Sequence, residues 1–279
     1  METIENTNNI VETKILHLSS LSDSGEVLNG DFKSAVRYNI PDAIVYDDTI
    51  EYIYWSIPFC IIPNSNYIIN ETNNRLDILM LGITTSYYFE FGNYNANLFI
   101  SKFKSIVPSS FNISLNSINN KFTITNTTND FSLLTTSTID YIMGFSDTLL
   151  SVDKLITCPR CVNFLPIPRV NITCPQLSNS SIMSNINDIS NIILSVPNNA
   201  KLNGQIIYQN VSHIKKLFKN DRFDNFTISL CDDNGTPINF NGISFYMSIQ
   251  FDICRKRIQK PMDFRKLIKM INENINNEE

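Results

Sequence analysis

Apolar residues along much of this chain recur at every second position, in short runs separated by clusters of Asn, Ser, Asp and Gly. A period of two places successive side chains on opposite faces of an extended backbone, so the pattern predicts strands joined by turns. Ala35 to Ile40 alternates and halts at Pro41, and Tyr52 to Ile62 is a β-branched and aromatic run. Tyr67-Ile68-Ile69 leads through Asn70 and Asn73-Asn74 into Leu76 to Leu81, which reads as a hairpin. Further strands are expected at Arg169–Thr173, Asn191–Val196, Gln205–Tyr208, Phe226–Leu230 and Ser244–Phe251. Asp232-Asp233-Asn234-Gly235 supplies a hairpin turn between the last two.

Between these two strand-rich blocks the period changes. Tyr87 to Phe91 ends at Gly92-Asn93, and then Leu98, Phe99, Phe103, Ile106 and Val107 recur at helical spacing up to Pro108. Phe111–Leu115 and Phe122–Thr125 alternate on either side of Asn119-Asn120. Phe131 to Leu134 follows, and a helical turn at Ile139–Met143 stops on Gly144. A strand–helix–hairpin unit inserted at about 86–150 is the expectation. Residues 1–30 are polar apart from Ile15-Leu16-His17-Leu18 and read as an N-terminal arm. Beyond Cys254, Phe264, Leu267, Ile268, Ile271 and Ile275 form an apolar stripe, so residues 254–279 read as an amphipathic C-terminal tail.

About ten strands with few helices, none in βαβ alternation, define the fold class as all-β. The predicted architecture is a single jelly-roll antiparallel sandwich over residues 31–253, carrying the small insertion and a C-terminal helix. Two jelly rolls would leave too little chain for each. Hydrophobic residues at 43% against 18% charged describe a globular chain rather than a disordered one. The net charge of −5 excludes a surface that is basic throughout. One stretch opposes that balance: Arg255, Lys256, Arg257, Lys260, Arg265, Lys266 and Lys269 stand against the single acid Asp263. It reads either as a helix that touches nucleic acid or membrane, or as a terminal helix docking its Ile stripe on the sandwich. The N-terminus carries no secretory signal pattern, and eight Asn-X-Ser/Thr sequons are expected by chance in so Asn-rich a chain.

Candidate chemistry is sparse. Cys158-Pro-Arg-Cys161 with Cys174 is the sharpest motif, since thiolates two residues apart can chelate zinc. A fourth ligand is missing from the pattern, and His17 and His213 are not at finger spacing. Structural thiols are the preferred reading, with a zinc site or a redox pair as alternatives. Asp47-Asp48 and Asp232-Asp233 lie beside turns as solvated acids, and no Gly-rich phosphate loop or Gly-x-Ser-x-Gly occurs. Trp55 with Tyr52 and Tyr54 could line a sugar site, but the flanking Ile53, Ile57 and Phe59 favour a core strand. No catalytic residue and no cofactor is expected.

Asn163 to Ile172, Gly204 to Tyr208, Phe226 to Gly235 and Ile238 to Phe245 resemble the closing half of penton, or minor capsid, proteins of virophages, Polinton-like viruses and large nucleocytoplasmic DNA viruses. Phe91–Tyr94, Lys121–Asn126 and Ile142–Phe145 are similar to a unit met in the same family, so the resemblance covers roughly Asp31 to Ile253. The Cys158–Cys161 segment and the basic tail lie outside the family's pattern. The resemblance implies a homopentamer of upright jelly rolls at the fivefold vertices of an icosahedral virion, assembled in the host cytoplasm. Its implied partner is the major capsid protein, while the charge of the basic tail points to other minor capsid proteins or packaged DNA. The alternative is a jelly-roll carbohydrate- or receptor-binding module of a virion spike.

Overall fold

The structure, a computed structural model, describes residues 10–21, 25–178, 181–183 and 188–256. The chain opens with β1 (Ile10–Ser19), β2 (Glu26–Val27), β3 (Ala35–Val45) and the long β4 (Ile50–Pro63). Along β4, Ile53, Trp55 and Ile57 are buried, and so are Cys60 and Ile62, so the inward parity slips by one residue at Ile57-Pro58. A β-bulge causes the slip. Phe59 pairs with Ser248 and Ser56 with Gln250, which leaves Ile57 and Pro58 opposite Ile249 alone. A proline has no N–H to donate and fits where the ladder is broken. Pro41 likewise does not end its strand. It lies within β3, in the interrupted stretch between the Asn39–Asn225 and Ile44–Phe223 pairs.

From β4 the chain leaves for a separate unit built of β5 (Arg75–Met80), β6 (Ile83–Tyr88), α1 (Ala96–Ile106), β7 (Phe111–Asn116), β8 (Lys121–Asn126), β9 (Phe131–Leu133), α2 (Asp140–Met143), β10 (Leu149–Leu150) and β11 (Leu155–Thr157). Its sheets β10-β9-β5-β6 and β11-β8-β7 share a hydrophobic core that runs from Ile68 to Phe164. The Asn95 side chain caps α1 by accepting from the Leu98 amide at 2.9 Å. Phe99 then stacks between Phe89, at 4.6 Å, and Phe122, at 5.2 Å. α2 ends at Gly144 with φ +86°, where a Cβ would run into the Arg160 carbonyl.

The insertion is therefore longer than residues 86–150 and fills the chain between β4 and β12 (Arg169–Thr173). β5 carries the same alternation as a sandwich strand and β6 carries none of its own, so the pattern alone places residues up to 85 in the wrong unit. The hairpin also lies elsewhere than expected. β5 pairs forward with β6 through Leu81-Gly82, both at positive φ, while Ile69 bridges Gly92.

The returning strands are β12, β13 (Ser181–Met183), β14 (Asp188–Ser190), β15 (Ile192–Pro197), β16 (Gln205–Gln209), β17 (Lys216–Leu217), β18 (Arg222–Cys231) and β19 (Tyr246–Arg255). One sheet runs β1-β19-β4-β16 with β17 also on β4, and the other runs β15-β12-β18-β3-β2. Lettered B to I in chain order, β1, β3, β4, β12, β15, β16, β18 and β19 give B-I-D-G facing C-H-E-F, which is the jelly-roll arrangement. The fold is an all-β jelly roll. Its core is a second, separate cluster, in which Phe223 stacks on Phe226 at 4.5 Å and meets Phe251 at 5.1 Å.

Two expectations are overturned here. Residues 1–30 are not simply an arm, because β1 pairs with β19 over ten residues as strand B. The signal is masked because Glu12 and Lys14 share a side with Leu16 and Leu18, while Val11 and Ile15 are exposed. Asp232–Gly235 does not join β18 to β19, since those strands lie in different sheets. The turn closes locally, with the Asp232 amide donating to Thr236 at 3.0 Å, before the chain crosses over. The expected C-terminal helix lies outside the described residues.

Candidate assembly interface

The strand pairing gives the sandwich two distinct ends. Ile50 at the start of β4 pairs with Arg255, Arg255 pairs with Ile10, and the Lys256 amide donates to Thr49 at 2.8 Å. The described chain thus enters and leaves at one end. At the other end β4 stops at Pro63 beside Gln205, and the insertion begins. A pair of amides, Asn64 buried and Asn198 half-buried, holds this neck. Asn64 Nδ2 donates to Ala200 at 3.1 Å and Lys201 at 3.0 Å, and its Oδ1 accepts from Asn198 Nδ2 at 2.9 Å. Asn198 Nδ2 also donates to the Ile167 carbonyl at 2.9 Å, so the outgoing and returning strands are tied through two side chains. Side-chain amides bonded at both ends in this way rigidify what they join.

Of the seven tail cations, the structure describes Arg255 and Lys256. Arg255 belongs to β19 rather than to a helical tail. Its Nη2 lies 3.1 Å from Glu12 Oε2, and its Nη1 donates to Thr49 Oγ1 at 2.8 Å and lies 3.7 Å from Asp47. It fastens strands B and I to the turn before β4. Arg257, Lys260, Arg265, Lys266, Lys269 and the apolar stripe lie outside the described residues.

The cysteines do not converge. Cys158 is in the core of the insertion, Cys174 is in the sandwich core, and Cys161 is exposed. Burial pushes the Cys158 and Cys174 thiols up to about 12, which disfavours the thiolate that metal binding or redox chemistry needs. Among the described residues no three His, Cys, Asp or Glu side chains cluster as a metal site. His17 Nδ1 lies 3.0 Å from Ser248 Oγ, whereas His213 sits in the loop between β16 and β17. Asp232 accepts from the Asn234 and Thr236 amides of its own turn, and Asp233 engages Arg169. Hydrogen bonds from the Thr49 hydroxyl and amide hold Asp47 below the usual carboxylate range. Trp55 is a core residue with Lys216 Nζ 5.4 Å over its ring, so it offers no sugar platform.

One carboxylate on the outer face of the B-I-D-G sheet is nearly enclosed. Asp252 accepts from Lys215 Nζ at 2.7 Å, Thr13 Oγ1 at 2.8 Å and Gln250 Nε2 at 3.0 Å. Burial raises its pKa, but these three donors outweigh burial and hold it below the ordinary value. A folded pKa below the unfolded one means that the unfolded chain binds the proton more tightly. The stabilisation is complete above about pH 4 and disappears as pH falls through the folded value. Urea midpoints of the wild type should therefore drop more steeply between pH 5 and about pH 2 than those of Asp252→Asn. Parallel curves would show that the carboxylate has no such coupling.

Pattern reading did not find the exposed apolar surface of the insertion. Leu81 and Ile83 at the β5–β6 turn are 74% and 68% exposed, and Leu150 and Val152 are 71% and 73% exposed. They lie near one another, because Ser151 donates to Phe131 and Phe131 pairs with Met80. Beside them, Ile78, Met80, Leu81, Ile83, Tyr87 and Phe111 line a cleft of about 170 Å³ between the two sheets of the insertion. Apolar patches of this kind mark contact surfaces. The signal available in the sequence was Ile83–Tyr88 itself, a strand without charge or proline.

Among solved structures, the chain is similar to the crystal structure of the SeMet-labelled mavirus penton protein, at 12% identity and a TM-score of 0.43, over 87% of this chain and 99% of that one. No family model matches the sequence, and no curated protein matches it.

Proposed function

We propose that this chain is a structural capsid subunit, a penton protein that closes in rings of five at the vertices of an icosahedral virion. The observation that carries this reading is the two-ended jelly roll. The chain enters and leaves the sandwich at one end, and an insertion with its own core is fixed rigidly at the other. A subunit standing upright in a shell needs such a polarity, with one end for the particle and one for the outside. The sequence resemblance to penton proteins supports the same reading. The sandwich also exposes sheet edges that a cyclic ring can cover. In this arrangement the major capsid protein flanks the sandwich. The basic segment from Arg257 onward points inward, toward packaged DNA or a neighbouring minor capsid protein.

The test is native mass spectrometry of the full chain, joined to particle incorporation of a chain ending at Lys256. Five copies are expected in both cases, with incorporation lost in the shortened chain. If the lost partner is DNA, binding of the full chain should weaken steeply with salt. If it is a capsid protein, salt should matter less than loss of Ile268 and Ile271. A stable monomer that binds glycans would overturn the penton reading in favour of a spike module.

A further inference from the structure

We propose that β6 is a self-pairing edge, through which the insertions of two copies of this chain join antiparallel about Ser86. Among the described residues β6 has β5 as its sole sheet neighbour, so its second side is open. Edges of this kind are normally blunted by charge, proline or a bulge. Ile83-Thr84-Thr85-Ser86-Tyr87-Tyr88 has none of these, and every residue but Tyr87 is exposed.

The turn decides which backbone groups are free. Met80 and Ile83 flank the two-residue Leu81-Gly82 turn and pair with each other, so they form its hydrogen-bonded closing pair. Antiparallel ladders alternate, so Ile83, Thr85 and Tyr87 direct their N–H and C=O groups toward β5. Thr84, Ser86 and Tyr88 direct theirs outward. A second copy related by a twofold axis through the sheet can meet these groups in a register that pairs Ser86 with Ser86 and Thr84 with Tyr88. Thr85 then faces Tyr87 on the side that carries the cleft lined by Ile78, Met80 and Phe111. Each threonine is thereby opposite a tyrosine, a favourable β-branched–aromatic pairing, and no charge is brought against another. The same face of both sheets stays on the same side, as the symmetry requires. A twofold contact cannot close within a fivefold ring, so it joins inserts of different rings and goes beyond the proposed vertex role.

Six residues of edge make a smaller contact than the roughly 1,600 Å² of a standard stable interface, so the experiment traps the pair covalently. Hydrogen-bonded antiparallel partners have Cα atoms about 5.5 Å apart, inside the range of about 4.4–6.8 Å that a disulfide spans. The full chain carrying Cys161→Ser, which removes the exposed thiol, receives Ser86→Cys, Thr84→Cys or the control Ile118→Cys, whose site is 93% exposed. Under oxidised glutathione, Ser86→Cys should form disulfide dimers about tenfold faster than Ile118→Cys, because pairing raises the effective thiol concentration. Thr84→Cys should not cross-link to itself but should cross-link to Tyr88→Cys. Adding Thr84→Pro to Ser86→Cys removes an outward N–H without touching the bonds to β5, and should return the rate to the control level. Equal rates for Ser86→Cys and Ile118→Cys, self-cross-linking of Thr84→Cys, or indifference to Thr84→Pro would each overturn the proposal.

Discussion

A chain starting at Ser20 is expected not to form the sandwich, although the residues it lacks read in sequence as a polar leader. β1 contributes ten pairs to β19, and its loss converts an interior strand of the B-I-D-G sheet into an open edge. Leu18 leaves the core, and burial of a leucine is worth about 1.5–3 kcal/mol. The buried Tyr38 hydroxyl loses its acceptor, the Ser19 carbonyl at 2.8 Å, and an orphaned buried donor costs about 1–3 kcal/mol. Asp252 loses Thr13, and Arg255 loses Glu12. Domains are stable by about 5–15 kcal/mol, and losses of this size acting together consume most of that margin. Circular dichroism and solubility are the readouts, with an unfolded or aggregating chain as the expected outcome. A cooperative melt within about 2–4 °C of the full chain, the shift that about 1 kcal/mol produces in a chain of this size, would mean that β1 is no structural part of the sheet.

Strands were legible wherever alternation met a half-buried surface, as in Phe111–Asn116 and Lys121–Asn126, and the helix at Ala96–Ile106 was legible from its phenylalanines. The partners of the strands were not. β18 and β19 follow one another across a strong turn sequence and still enter different sheets, because a Greek-key connection looks locally like a hairpin. β5 has the periodicity of a sandwich strand, and only its pairing with Leu133 and its place in the insertion's core assign it to the insertion. β1 was hidden by charges whose partners lie far along the chain, Arg255 for Glu12 and Asp42 for Lys14. Local pattern carries period and turn chemistry, whereas pairing over more than two hundred residues, as between Thr13 and Asp252, is a tertiary property. Beyond the uncharged run Ile83–Tyr88, the surface of the insertion was unreadable for a different reason. Exposure of Leu81, Ile83, Leu150 and Val152 depends on which neighbours they lack, and a sequence does not record that.

Two cores without a shared residue should behave as two units of stability. Phe99 is fully buried among Phe89, Phe122 and Phe164, at ring distances of 4.6, 5.2 and 5.5 Å. Phe226 is equally buried against Phe223 and Tyr38, at 4.5 and 5.4 Å. Truncation of such a side chain removes its transfer free energy and leaves a cavity, at a cost of about 3–5 kcal/mol for Phe→Ala. Phe99→Ala should therefore accelerate amide exchange across β7 and β8 while β18 and β19 keep their protection. Phe226→Ala should do the reverse, exposing the sandwich amides first. The neck formed by Asn64 and Asn198 is polar and narrow, and it transmits position rather than core packing between the units. The double variant should accordingly lose the sum of the two single losses to within about 0.5 kcal/mol, as distant sites do. If Phe99→Ala instead unprotected β18 and β19 as much as β7 and β8, the insertion and the sandwich would be one cooperative unit. The rigid neck, not the separation of the cores, would then govern the stability of this molecule.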